Sequence, residues 1–161
     1  MTVFSLDYQL YPPGETEKYR PMIKVGLCYG ESTAGFQALV DSGSDITISF
    51  VEVGNALGID FSDTRLASEV EGMGMKFLDR IEGLTGGCEA YTAPAKMVLN
   101  GREETIVIKW LKQRLDPRND FPIILGQDSI FSLYDIHFSR RQKKFFLNTE
   151  VLSNSASRKT I

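Results

Sequence analysis

The sequence predicts an all-β domain. Three observations carry that prediction: Gly, Pro and Asn punctuate the chain at short, regular intervals, the stretches between are rich in Val, Ile, Phe and Thr, and Asn100-Gly101 is a strong hairpin-turn pair between two of them. Taken in order, residues 22–30 (MIKVGLCYG), 35–43 (GFQALVDSG), 95–101, 105–111, 135–139 and 144–148 read as strands. A weaker polar turn, residues 139–143, joins the last two. Two short helices interrupt them. Ser49 with Glu52 three residues on forms a capping box, and Gly58 after Leu57 supplies the stop. The second helix opens at Asp128 as N-cap and offers Ile130, Phe131, Leu133 and Tyr134 as its apolar face. Residues 111–122, with Asp116-Pro117 and mixed charges, read as a surface loop. The predicted organisation is an N-terminal extension over 1–17, one domain over 18–152, and a flexible tail over 153–161.

Size and composition exclude several classes. With 161 residues, 42% of them hydrophobic, the chain buries one substantial core and has no room for a second full lobe. A net charge of −3, with basic residues scattered apart from Arg140, Arg141, Lys143 and Lys144, gives no footprint for nucleic acid. Cys28 and Cys88 lack CxxC spacing and read as reduced thiols; a lone His137 completes no zinc set, so neither a metal nor a cofactor is expected. No apolar run is long enough for a membrane span and no leader pattern opens the sequence, which predicts a soluble, cytoplasmic protein.

The chemistry concentrates in three segments. In ALVDSGSDI, residues 38–46, an apolar strand delivers Asp41 into a tight turn where Ser42 offers a hydroxyl and Gly43 lets the backbone approach. An aspartate acting as a general base needs such donors to hold it, although the same residues also suit an ordinary β-turn. Ser44 is expected to donate a further hydrogen bond to the Asp41 carboxylate, which predicts an acid-shifted pH optimum. In PIILGQDSIF, residues 122–131, a strand this apolar must be buried on both faces, and Gly126 lets another segment pass against its backbone. Between them, Gly83, Leu84, Thr85, Gly86 and Gly87 suggest a hairpin with a mobile tip, placed where a lid would be encoded.

Together these segments resemble the retropepsin-like aspartic peptidases, including the single-domain bacterial type. The likeness runs from Arg20-Pro21-Met22-Ile23, through Leu39 to Ser44, Gly83 to Gly87, and Ile124, Leu125 and Gly126, to the FSLYDIHF segment at 131–138. It implies a closed acid-protease barrel with two short helices and a flap hairpin. Asp41, Ser42 and Gly43 are then catalytic. Ser44, Asp45 and the flap residues 83–87 meet substrate, and Ile124, Leu125 and Gly126 support the site. Two departures stand out. Ser42 replaces the commoner Thr, and Gln127 stands where retroviral members often carry an Arg paired with the acid matching Asp45, leaving Asp45 to Arg20, of the same or the other subunit, or to substrate.

Only one Asp-Ser-Gly occurs, whereas the implied chemistry needs two carboxylates. The resemblance therefore implies a homodimer that hydrolyses a peptide or protein substrate. The alternative is a catalytically silent peptide-binding or dimerisation module of the same fold. A glycosidase-type pairing of Asp41 with Glu89 or Asp128 ranks lower, since a single Trp gives little stacking surface for a sugar.

Overall fold

The computed structural model describes residues 3–11, 18–82, 87–114 and 121–149. In chain order the elements are β1 (Val3–Asp7), β2 (Gln9–Leu10), β3 (Tyr19–Arg20), β4 (Met22–Tyr29), β5 (Ser32–Val40), β6 (Ile48–Phe50), α1 (Val51–Ala56), α2 (Thr64–Gly72), β7 (Leu78–Ile81), β8 (Cys88–Leu99), β9 (Arg102–Leu111), β10 (Ile123–Leu125), α3 (Ile130–Leu133), β11 (Asp135–Ser139) and β12 (Lys144–Asn148).

Six strands close a barrel in the order β4-β5-β10-β6-β9-β8, with β8 pairing back onto β4 through Gly26↔Val98 and Cys28↔Lys96. The β8–β9 hairpin turns at Asn100 and Gly101, both at positive φ (51° and 76°), as the Asn-Gly pair demands. Alternation along β8 and β9 sends Ala93, Ala95, Met97, Ile106, Ile108 and Trp110 inward. Trp110 is fully buried and its indole N–H donates to the Ala93 carbonyl at 3.1 Å, so the largest core side chain leaves no unpaired donor. Cys28 and Cys88 are both free thiols.

β7 continues the sheet beyond β8, the two pairing antiparallel from Leu78↔Tyr91 to Ile81↔Cys88 on either side of the segment expected to form the flap. Gly83, Leu84, Thr85 and Gly86 lie outside the described residues. Gly87 sits at φ +89°, where the Arg80 and Glu82 head groups, paired at 3.0 Å, occupy the space a Cβ would need.

A second sheet, β1-β12-β11, packs Phe4, Leu6, Ile136, Phe138, Phe145 and Leu147 against the core. Its first strand comes from the segment read as an extension. The alternation of Phe4 and Leu6 with Val3, Ser5 and Asp7 was the available signal, and five residues are too few for it to stand out.

The two helices read from the sequence are joined by a third, and their starts differ. Helix α1 follows Phe50 in extended conformation with no side-chain cap, because the Ser49 hydroxyl donates instead to the Pro122 carbonyl at 2.8 Å. Its end is as expected, with Gly58 at φ +86°. Helix α3 starts after Ser129, not at Asp128, whose carboxylate is engaged elsewhere. Helix α2 is the addition: the Asp63 carboxylate accepts from Arg65 N at 2.9 Å, and Leu66 and Val70, one turn apart, are buried. Among the described residues no helix is long and apolar enough to cross a membrane.

Candidate active site

The site is built where two strands end side by side. β10 lies between β5, to which it is parallel, and β6, to which it is antiparallel, so its backbone is paired on both edges. The parallel register Leu125↔Val40 puts the chain leaving β10 beside the chain leaving β5. Three backbone hydrogen bonds then stitch the two exits together: Asp41 N to Leu125 O at 3.0 Å, Gln127 N to Ser44 O at 2.8 Å and Asp128 N to Asp45 O at 3.2 Å. Gly126 makes the approach possible. A Cβ there would lie 2.3 Å from the Ile46 carbonyl oxygen and 2.7 Å from that of Ser44, closer than any side chain tolerates.

On this support Asp41 is half-buried, and its Oδ1 accepts the Gly43 N–H at 2.9 Å. Ser44 N donates to Asp41 O at 3.2 Å, closing the turn. The Ser44 side chain departs from expectation. Its hydroxyl donates to the Ile46 carbonyl at 2.7 Å instead of to the Asp41 carboxylate, so the premise for an acid-shifted optimum is removed. A backbone carbonyl two residues on takes the hydroxyl, which becomes a brace for the turn.

Gln127 makes a contact that the sequence did not disclose: its Nε2 donates to the Ser42 carbonyl at 2.8 Å. The Asp45 carboxylate, exposed at the end of the turn, has no hydrogen bond or ion pair among the described residues. Arg20 lies instead with its guanidinium 5.2 Å from the Phe121 ring centroid and its Nε 3.4 Å from the Tyr11 carbonyl. Phe121, within the segment read as a surface loop, is itself buried and stacked on Tyr11.

Beneath the turn, Thr47 is 0% exposed. Its hydroxyl accepts from Gly126 N at 3.1 Å, donates to Asp128 Oδ1 at 2.8 Å and contacts the Ser129 hydroxyl. Burial pushes the Asp128 carboxyl above the ordinary aspartate value, opposed by the Thr47 hydrogen bonds and the Lys109 charge. Sequence reasoning named neither Thr47 nor Ser129, since a lone Thr and a lone Ser carry no pattern.

Asp41 and Ser42 open onto a groove of about 440 Å³, walled also by Tyr8, Arg20, Phe138 and Arg140. Burial raises the Tyr8 phenol above its ordinary value, with the Arg140 charge pulling the other way. At the base of the flap hairpin a separate apolar cluster gathers Phe50, Cys88, Ala90 and Leu111, with Ile48, Val53 and Ile81 against it. The structure thus brings Asp41, Ser42, Gly43, Ser44 and Asp45 together with Leu125 and Gly126, while Ile124 pairs with Leu39 in the strands beneath and Gly87 belongs to the flap arm. A second hollow, of about 410 Å³, lies on the outer face of the β1-β12-β11 sheet around Asp135, His137 and Phe146 and contributes nothing to this turn. Among the described residues, no cluster of three or more His, Cys, Asp or Glu side chains is placed to hold a metal ion.

No protein-family model matches the chain, and no curated protein sequence does. Solved structures do match. The chain is similar to a retropepsin-like aspartic protease from Rickettsia conorii, with a TM-score of 0.58 at 15% identity over 91% of this chain and 99% of that one. It is also similar to the EIAV protease complexed with an inhibitor, with a TM-score of 0.49 at 19% identity over 78% of this chain and 94% of that one. The retroviral protease-like domain of Ddi1 from Leishmania major gives 0.44 at 16% identity, over 70% and 77%. At such identities the likeness is one of fold. The chain has the retropepsin-like fold of aspartic proteases, a closed six-stranded barrel with few short helices, as its motifs implied.

Proposed function

We propose that the protein is an aspartic endopeptidase that works as a homodimer, with one Asp41 from each copy. The observation that carries the reading is the Asp41 carboxylate itself, fixed by the Gly43 N–H at the edge of an open groove on an aspartic-protease fold. One chain supplies a single such carboxylate, and two-fold pairing supplies the second across an isologous interface.

Two carboxylates brought face to face resist joint ionisation, so the pair holds one proton between them. The ionised Asp41 takes a proton from a bound water, and the oxygen of that water attacks the scissile carbonyl carbon. The protonated partner carboxyl gives its proton to the carbonyl oxygen, producing a tetrahedral diol. Collapse of the diol returns a proton to one carboxylate while the other carboxyl protonates the departing amine, releasing an acid and an amine with no covalent enzyme intermediate. The substrate lies extended between the turn at Asp41 and the paired strands β7 and β8, its backbone adding as a strand, and the free Asp45 carboxylate at the end of the turn faces it.

The test pairs sedimentation with pepstatin-sensitive cleavage of a peptide library. Asp41→Asn is expected to lower kcat by roughly 10³-fold or more, since it removes a group that is both acid and base, while leaving the fold and assembly in place. Identical cleavage by the unsubstituted protein and the variant would end the catalytic reading and leave the silent binding module.

A further inference from the structure

Gln127 contacts neither the carboxylate nor the groove, yet it grips the peptide that holds Asp41. The Ser42–Gly43 peptide unit has its carbonyl oxygen on the Gln127 amide at 2.8 Å and its N–H on Asp41 Oδ1 at 2.9 Å. A backbone carbonyl oxygen only accepts, so the Gln127 nitrogen is the atom that faces it. The peptide is planar, with C=O and N–H pointing in opposite directions, so fixing the oxygen fixes the direction of the N–H. Hydrogen bonds at both ends of one peptide also polarise each other, strengthening the donor presented to the carboxylate.

The peptide needs such a lock. Ser42 and Gly43 are both exposed, and glycine lets the plane rotate at little steric cost. Gln127 is itself rigidly based: it follows Gly126, wedged against Ile46, and its own N–H donates to Ser44 O at 2.8 Å. We propose that Gln127 is a positioning residue for the Asp41 carboxylate, acting through the Ser42–Gly43 peptide. The brace is neutral. Unlike an ion pair across the same turn, it leaves Asp45 unpaired and does not weaken when neighbouring carboxylates take up protons.

The proposal rests on the aspartic endopeptidase reading, and its test separates the two. Gln127→Met keeps the length of the side chain and removes the donor. Its kcat is expected to fall about tenfold at unchanged KM, the loss of roughly one neutral hydrogen bond. The Gly43 amide proton, followed by NMR, is expected to move upfield in the same variant as its hydrogen bond to Asp41 weakens. Gln127→Glu restores a donor only while its carboxyl is protonated, so its kcat relative to the unsubstituted protein falls as pH rises through that titration, a slope absent from Gln127→Met. An unmoved Gly43 amide, an unchanged kcat in Gln127→Met, or the same pH profile for both variants overturns the proposal. Should the unsubstituted protein cleave nothing, the endopeptidase reading falls, and the Gly43 amide alone decides whether Gln127 controls this peptide.

Discussion

Thr47→Val isolates the hydrogen bonds that tie the floor of the site to the barrel. Valine fills nearly the same volume as threonine, so packing is preserved and only the hydroxyl is lost. Three groups then lose a partner, of which the Ser129 hydroxyl keeps the Gly126 carbonyl as its acceptor at 3.3 Å. The Gly126 N–H, buried and bonded to Thr47 Oγ1 at 3.1 Å, is left without an acceptor, which costs about 1–3 kcal/mol. Asp128 loses the donor at 2.8 Å, but it is exposed enough for water to replace it, so this second loss stays below about 1 kcal/mol. The expected total is about 1–4 kcal/mol, each kcal/mol lowering Tm by roughly 2–4 °C for a chain of this size. The assay is urea unfolding of both proteins at one fixed protein concentration, because assembly makes the midpoint depend on concentration. Thr47→Ser, which keeps the hydroxyl, is expected to lose less than Thr47→Val. A loss below about 0.5 kcal/mol in Thr47→Val would mean that the hydroxyl does not satisfy Gly126, and the account of the floor would be wrong.

Gly126→Ala forces a Cβ to 2.3 Å from the Ile46 carbonyl oxygen; backbone cannot yield as a side chain can, so a loss above about 3 kcal/mol is expected by denaturant unfolding. A folded Gly126→Ala variant of near-native stability would show that the two exits are not in contact. Asp128→Asn tests the partly desolvated carboxyl. With the folded-state value raised, the folded protein binds the Asp128 proton more tightly than the unfolded chain, so stability falls as pH rises from the ordinary aspartate value through the raised one. The asparagine keeps an acceptor for Thr47 and removes that slope, so its advantage over the unsubstituted protein is absent in acid and full above the raised value. Thermal melts across that range check it, and parallel curves would refute it.

Much of the barrel was legible because its signals are local. Asn100-Gly101 demands a turn with two positive φ angles, and the residues either side alternate, so β8 and β9 could be read without knowledge of anything distant. The strand-to-turn segment at Asp41 and the apolar strand ending at Gly126 were legible for another reason: either alone suits an ordinary turn or core strand, but their order along the chain forms a pattern that goes with the observed fold. What was not legible depends on partners far away in sequence. Ser49 looked like a helix cap because Glu52 follows it, but the Pro122 carbonyl, brought close by β6–β10 pairing, takes its hydroxyl. Asp128 looked like a cap for the same local reason, and Thr47 takes it. Ser44 points to the Ile46 carbonyl, a local backbone acceptor that competes with the Asp41 carboxylate for its hydroxyl. Gln127 registered only as a departure from a pattern, since its partner, Ser42, is settled by the parallel pairing of β5 and β10.

That parallel pairing also explains why an aspartate and an apolar-apolar-Gly segment occur together at such a sequence distance. Antiparallel neighbours leave a sheet at opposite ends, whereas β5 and β10, running in the same direction, must leave at the same end. Their exits compete for one space. A glycine in one of them removes the steric conflict, and the free carbonyls of the turn, Ser42, Ser44 and Asp45, find donors in Gln127 and Asp128 of the other. The Asp41 carboxylate inherits its rigidity from that mutual satisfaction. Any change that separates the two exits disorders the carboxylate before it unfolds the barrel, because the strands on either side keep their own ladders.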